Sequence, residues 1–292
     1  MGRPTHIFIT GTSSGIGRAC LERLLAESFD VIASVRSAAD AQALVQTFGA
    51  RVHPLIMDVT DQDSIAAAAE QIEGLVGSRG LAGLVNCAGI GVSSPVEYLP
   101  LADLRRQFEV NVFGQIAVIQ AMLPALRRGT GRIITIGSIG DRVTIPFGGP
   151  LCASKQALAS LHEALRQELF PWGIHVCLIE PASICTPAVD KLAADNEAQI
   201  QAMSPEAASR YGTMFRRFTL RAVAQEKQGS PPSVVADTVL KALTERKPRT
   251  RYLCGKDSRT LATLAWLLPD PLFDRLRRSL FGIPGGFGEL GR

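Results

Sequence analysis

Short apolar runs alternate along this chain with longer stretches in which apolar residues recur at helical spacing. The runs fall at residues 6–10, 31–35, 52–57, 83–86, 131–137, 175–180 and 251–254, and each is predicted to be a strand. Helical patterns fall between them, at 18–27, 38–48, 61–76, 101–127 and 151–170. Strands this apolar are expected where both faces of a sheet are covered. The alternation predicts an α/β fold, a single Rossmann-type doubly wound parallel sheet with helices on both faces. Ligands of such a sheet bind at the carboxyl ends of its strands.

The pattern changes after Pro187. Residues 188–228 keep a helical period but are rich in Ala, Gln and Arg, as expected of helices that cover a substrate. Gly229-Ser230-Pro231-Pro232 is a break, and 233–244 reads as a helix with Ser233 as its N-cap. Residues 260–281 carry Trp266, Leu267, Leu268, Leu272, Phe273, Leu276, Leu280 and Phe281 beside Arg275, Arg277 and Arg278. Packing onto the domain is the favoured reading there, ahead of peripheral membrane contact. The expected organisation is one domain over 1–292. Its core spans about 5–187 plus 233–256, its lid helices about 188–228, and a helical C-terminal extension covers 258–292.

Composition narrows the class. A chain of 292 residues, 46% hydrophobic and 20% charged, is expected to fold into a soluble globular domain. Its formal charge of +4 does not call for nucleic acid. The cysteines Cys20, Cys87, Cys152, Cys177, Cys185 and Cys254 form no C-x-x-C pair and have no histidine cluster near them, so no metal site is expected. They read as buried free thiols in a reducing, cytoplasmic setting. No secretory leader pattern precedes the first strand. No apolar run reaches the ~18 residues of a membrane helix.

The chemistry begins with Thr10-Gly11-Thr12-Ser13-Ser14-Gly15-Ile16-Gly17, which follows the first strand and opens a helix. Glycines there let the backbone turn tightly and approach a pyrophosphate, and the helix N-terminus offers free N–H groups to it. Asp58-Val59 follows the third strand, and Asn86-Cys87-Ala88-Gly89 the fourth. Asn111 lies in Glu109-Val110-Asn111-Val112, Ser138 follows the fifth strand, and Lys155 closes Leu151-Cys152-Ala153-Ser154-Lys155. Together these segments resemble the short-chain dehydrogenase/reductase family over residues ~5–187.

The resemblance implies a nicotinamide dinucleotide held by Gly11, Ser13, Ser14, Gly15, Ile16 and Gly17. Asp58 and Val59 are then expected at the adenine, with Asn86, Ala88 and Gly89 lining the adenine and ribose pocket. Cys87 departs from the asparagine usual at its position. Pro181-Ala182-Ser183-Ile184-Cys185-Thr186 resembles the family's turn over the nicotinamide, with Ala182 in place of glycine. Pro181, the Ile184 backbone and Thr186 are expected to meet the carboxamide and phosphates. At the end of the second strand Ser34 stands where an acid would bind a ribose 2′-hydroxyl, and Arg36 is placed to pair with a 2′-phosphate. NADP(H) is therefore expected in preference to NAD(H).

Four family residues carry the reaction: an asparagine, a serine, a tyrosine and a lysine. They match Asn111, Ser138, position 151 and Lys155, and position 151 is Leu151 rather than tyrosine. The asparagine is implied to support a water that relays protons, the serine to orient a carbonyl, and the lysine to lower the phenol pKa and hold the ribose. Leucine can transfer no proton. Natural divergence and a substitution in an active parent both fit the intact surroundings. His162, seven residues past Lys155, reads as a packing or interface residue rather than a general acid.

Pro146-Phe147-Gly148-Gly149-Pro150 and Trp172-Gly173-Ile174-His175-Val176 look like the 17β-hydroxysteroid and retinol dehydrogenase branch. That branch implies a small apolar substrate with a hydroxyl or carbonyl group. It also implies a homodimer or homotetramer built on 101–127 and 151–170. The expected function is an NADP(H)-dependent oxidoreductase impaired at Leu151. A non-redox isomerase, cyclase or lyase on the same scaffold, or an NADP-binding pseudoenzyme, are the alternatives.

Overall fold

The structure is a computed structural model that describes residues 5–27 and 29–286. The strands are β1 (His6–Ile9), β2 (Asp30–Val35), β3 (Val52–Ile56), β4 (Gly83–Asn86), β5 (Arg132–Ile136), β6 (Val176–Pro181) and β7 (Arg251–Cys254). All pair in parallel, in the order β3-β2-β1-β4-β5-β6-β7. The order reverses between β1 and β4, and that crevice is the switch point where such sheets bind ligands.

Side chains along a strand point to alternate faces, and here both faces are covered. Ile7 and Ile9 of β1 pack on one side, with Val31, Ala33 and Val35 of β2. Phe8 and Ile32 pack on the other. The first side is closed by α1 (Gly15–Ala26), α2 (Ala38–Phe48) and α10 (Ser233–Thr244). The second is closed by α3 (Gln62–Val76), α5 (Gly114–Gly129) and α6 (Gly149–Glu168), and α4 (Leu101–Phe108) packs outside them on α6. Both faces demand apolar residues, which is why the strands read as unbroken apolar runs.

Three expectations about the helices are corrected, at 101–127, 260–281 and Ser233, and the helices expected over 188–228 take definite bounds. The stretch at 101–127 is two α-helices joined through a π-helical turn, Glu109–Phe113. A single wide turn leaves the apolar period almost unchanged, so the pattern does not reveal it. Residues 188–228 divide into α7 (Ala188–Gln201), α8 (Pro205–Ala207) and α9 (Thr213–Lys227), with a second π turn at Ala208–Gly212. Ser204 caps α8 by accepting from the Ala207 N–H at 3.2 Å. Residues 260–281 are α11 (Ser258–Leu267) and α12 (Asp270–Phe281), broken at Leu268-Pro269 because proline cannot donate into a continuing helix. Ser233 is the first residue of α10, not its cap. Pro232 before it already has helical angles, φ −62 and ψ −19, so Ser233 lacks the extended backbone of a capping residue.

The helical run Leu101–Gly129 is also long and apolar enough to cross a membrane by length and composition, with a mean hydropathy of 1.3. Half of that window is buried against the sheet, as in a core helix. The C-terminal extension is described only as far as residue 286; 287–292 lie outside the described residues.

Phe8 is fully buried at the centre of the sheet, between Ile32 and Leu84. Phe8→Ala is expected to cost about 3–5 kcal/mol, read as a lower urea midpoint at unchanged slope.

Candidate active site at the carboxyl ends of the strands

Helix α1 begins earlier than its sequence pattern implies, at Gly15 rather than residue 18. This brings the last glycines of the loop into its first turn. Gly11 has φ +71, and a Cβ there would stand 2.9 Å from the Ala88 Cα. A Cβ on Gly17 would stand 2.1 Å from the Gly11 carbonyl oxygen. Only glycine fits either place. Arg18 N–H donates to the Ser14 carbonyl at 3.2 Å, so the N–H groups of Gly15, Ile16 and Gly17 lie ahead of the first helical bond. Ser14 occupies the cap position without using its hydroxyl for capping, and Ser13 and Ser14 are exposed. A cradle that backbone alone can line, with free N–H groups and exposed hydroxyls, fits a dinucleotide pyrophosphate.

The cradle is held from two sides. Thr10 Oγ1 accepts from the N–H groups of Cys87 and Ala88 at 2.9 and 3.0 Å, tying the end of β1 to the end of β4. Ser34 is buried. Its carbonyl accepts from the Thr12 N–H and hydroxyl, both at 3.0 Å, and its hydroxyl accepts from Gly11 N–H at 3.4 Å. Arg36, two residues on, is exposed. Asp58 lies within its field: the Thr60 N–H and hydroxyl, and then the Arg36 charge, hold the Asp58 carboxyl below its usual value. Val59 is buried beside Asp58, and its carbonyl lies against Gly114. Asn86 is buried and donates to the Gln115 carbonyl at 3.1 Å; Gln115 in turn donates to the Ala88 carbonyl at 2.8 Å. Gly89 faces Asn111 Oδ1. Thr186 reaches the loop from beyond β6, where a Cβ on Gly15 would lie 3.5 Å from its Cβ.

Ile184, whose backbone is expected to meet the carboxamide, is held from α9. Its N–H donates to Glu226 Oε2 of α9 at 3.0 Å and is already committed within the chain. Burial pushes the Glu226 carboxyl up, which the Ile184 N–H partly opposes. Cys185 is exposed, unlike the other thiols.

Asn111 sits in the π turn, fully buried. Its Oδ1 accepts from Ile90 N–H at 2.9 Å, and its Nδ2 donates to the Ile90 carbonyl at 2.9 Å and to Ser154 Oγ at 3.2 Å. The side chain is thus committed to the loop after β4. Gln107 works beside it, accepting from Val92 N–H at 2.7 Å and donating to the Ile90 carbonyl at 2.8 Å. The sequence reading missed Gln107, Gln115 and Ser154. Their one signal was polarity at apolar helical positions.

Ser138 Oγ accepts from Gly140 N–H at 2.9 Å, which leaves its own proton free to donate. Gly140 lies between Ser138 and α6, with a Cβ there 3.2 Å from Ser138 Oγ and 3.3 Å from Cys152 Sγ. Lys155 Nζ donates to the Ile136 carbonyl at 2.7 Å. Burial lowers the Lys155 pKa to about 8. Leu151, one turn earlier on α6, faces the loop at Gly91. It supplies no polar atom. His162 is buried with no partner for either ring nitrogen, and burial lowers its pKa to about 4, so it packs as a neutral ring.

Residues 5–197 match the short chain dehydrogenase family. The chain belongs to that family. Its members are oxidoreductases that bind a nicotinamide cofactor. This short chain dehydrogenase is 33% identical over 276 residues to the NADPH-dependent 3-dehydrocapnine reductase of Ornithobacterium rhinotracheale, covering 93% of this chain and 95% of that one. It is 33% identical to mouse retinol dehydrogenase 5 over 289 residues, with 91% and 89% covered. The resemblance to the retinol dehydrogenase branch fits these relatives. Among solved structures, a short-chain dehydrogenase from Streptomyces avermitilis superposes with a TM-score of 0.74 at 26% identity, covering 96% and 95% of the chains. One from Burkholderia cenocepacia in complex with NADP gives 0.72 at 25% identity, covering 94% and 98%.

The depressed Lys155 value has a measurable consequence. Between about 8 and 10.5 the unfolded lysine holds a proton that the folded one has released, so this group makes stability rise with pH across that window. Lys155→Met is expected to flatten the rise of melting temperature over that window, measured without ligand.

Proposed function

We propose that this short chain dehydrogenase is an NADP(H)-dependent oxidoreductase of hydroxyl and carbonyl groups on a small apolar substrate, slowed by Leu151. The observation that carries the reading is that the end of β5 carries Ser138, held by Gly140, and takes Lys155 on its Ile136 carbonyl, in a chain with an intact glycine cradle and a leucine where the proton donor belongs. A bound nicotinamide would supply the hydride. The Ser138 hydroxyl, its oxygen fixed by Gly140, donates to the substrate carbonyl and orients it. The Lys155 cation stabilises negative charge as it grows on that oxygen. Leu151 offers no proton, and loss of a positioned general acid costs about 10²–10⁴ in rate.

NADP(H) over NAD(H) is supported by the exposed Arg36 and by Ser34 in place of an acid. The apolar substrate is supported by the likeness to retinol dehydrogenase 5, and beside α6 lies an apolar cluster. Phe147 packs on Phe215 and Phe218 of α9, both at 5.3 Å between ring centroids, and Ile145, Ile200, Met203 and Phe281 of α12 join them. A homodimer or homotetramer accords with the exposed Leu101, Phe113 and Leu161 on the α4–α6 surface. A cytoplasmic setting accords with the free thiols.

NADPH consumption with a panel of apolar ketones tests the reading. Leu151→Tyr is expected to gain a hundredfold or more over the parent, as a restored general acid requires. Silence of both chains while NADPH binds would overturn the redox reading in favour of non-redox chemistry or cofactor sensing.

Arg36→Ala is expected to weaken NADPH binding about tenfold and to leave NADH binding unchanged, the loss of one charge-assisted pair. Fluorescence titration with each cofactor reads both.

A further inference from the structure

Two buried carboxyl side chains stand close to Ser138 and to the turn at Pro181. Those of Asp141 and Glu180 are wholly shielded from solvent. Asp141 closes the short turn Ile139–Asp141 that Ser138 caps, and Glu180 is the penultimate residue of β6. Arg142 donates to both Glu180 oxygens, from Nε to Oε1 at 2.9 Å and from Nη2 to Oε2 at 3.1 Å. Arg251, the first residue of β7, donates through Nη1 to Glu180 Oε1 and to Asp141 Oδ2, the latter at 3.3 Å. Its Nη2 donates to Glu163 Oε1 of α6 at 2.8 Å. Asp141 Oδ1 is buried without a donor, with Arg142 Nε 4.0 Å away.

An ionised oxygen without a donor is costly in such a place, and so are two adjoining carboxylates that are both charged. One proton removes both penalties, because a protonated Asp141 becomes a donor to Glu180. The charges agree. Arg142 and Arg251 balance Glu180 and Glu163, so the cluster is neutral only when Asp141 is neutral.

We propose that Asp141 is a positioning residue: a proton shared with Glu180 locks the Ser138 turn to the end of β6 and so aims the Ser138 hydroxyl. The inference rests on the reading of Ser138 as the group that orients the substrate. Burial first, and then Glu180, push the Asp141 carboxyl up to about 8, against the opposing pull of Arg251 and Arg142. From α6, Lys155 and Cys152 also feel the Asp141 charge. A carboxyl raised from 3.8 to about 8 keeps a proton in the fold that the unfolded chain releases. Its contribution to stability therefore falls as pH rises through that interval, and the lock is lost above it.

The test compares Asp141→Asn, whose amide still donates to Glu180, with Asp141→Ala. Infrared difference spectra of the parent are expected to show a carboxylic acid C=O band at pH 7 that fades as pH passes about 8. The band is absent in Asp141→Asn, and also in Glu180→Gln, where Asp141 ionises beside the arginines. Hydrogen exchange at the Gly140 N–H, which reports the Ser138 contact, is expected to quicken about tenfold in Asp141→Ala and little in Asp141→Asn. In a Leu151→Tyr background, Asp141→Ala is expected to lower kcat about tenfold without changing the KM for NADPH. Asp141→Asn restores most of that loss, and Asp141→Ala adds nothing to Ser138→Ala. An infrared band that does not depend on Asp141 overturns the proposal. So does equal damage by both Asp141 variants, or a loss that adds fully to Ser138→Ala. If the Leu151→Tyr chain reduces no ketone, the redox reading fails, while the band and the Gly140 exchange still decide the shared proton and the turn.

Discussion

The close approach of β1 to β4 at their carboxyl ends is the contact on which the rest depends. Gly11 lies so near Ala88 that no Cβ fits between them, and the Thr10 hydroxyl takes the N–H groups of Cys87 and Ala88. This joins the two halves of the sheet where their order reverses. The crevice opens there because the crossovers leave in opposite directions on either side. Helix α1 starts directly at that seam and aims its free N–H groups into it. A bulkier residue at Gly11 would part the strands and move the helix with them.

Around the seam the protein uses buried amides rather than charges. Asn86, Gln107, Asn111 and Gln115 are all buried; Asn86 ties β4 to α5, and the other three hold the loop after β4. The loop after β4 gets its shape from these side chains, since its own carbonyls and N–H groups need partners. The π turn follows from the same need, for it carries Asn111 at the place where Ile90 can be gripped from both sides. Charge enters deeper in, at Lys155 and in the cluster of Arg142, Glu180 and Arg251. Burial sets the protonation equilibrium of Lys155 and of Asp141 beside that cluster.

The apolar cluster around Phe147 is a second, smaller assembly. Phe147 is held with φ +61, a conformation unusual for an aromatic residue, and packs against α9. Arg217 and Arg221 of α9 cap the end of α12 by donating to the carbonyls of Gly282, Ser279 and Leu280. Arg277 of α12 donates to the Thr144 carbonyl at 2.7 Å. The C-terminal helices thereby brace the segment that leads into α6 and Leu151.

Much of this was legible in the chain. All seven strands were readable because a sheet covered on both faces makes each strand an apolar run, whatever it packs against. The glycine loop was readable because close backbone approach excludes every side chain. The π turn at Asn111 and the break at Pro269 were read as continuous helix. One wide turn or one short interruption barely disturbs a period of 3.6. Ser233 was misplaced because capping depends on the backbone angles of its neighbour, not on its own hydroxyl. The sequence by itself determined the order of elements and the chemistry available to them, since both follow from local pattern. Only the tertiary structure decided which polar groups meet: Glu226 with Ile184, Gln107 with Val92, Arg251 with Asp141 and Glu180. Their partners lie between 15 and 110 residues apart, and burial makes such pairing obligatory without saying in the sequence which group it will be with.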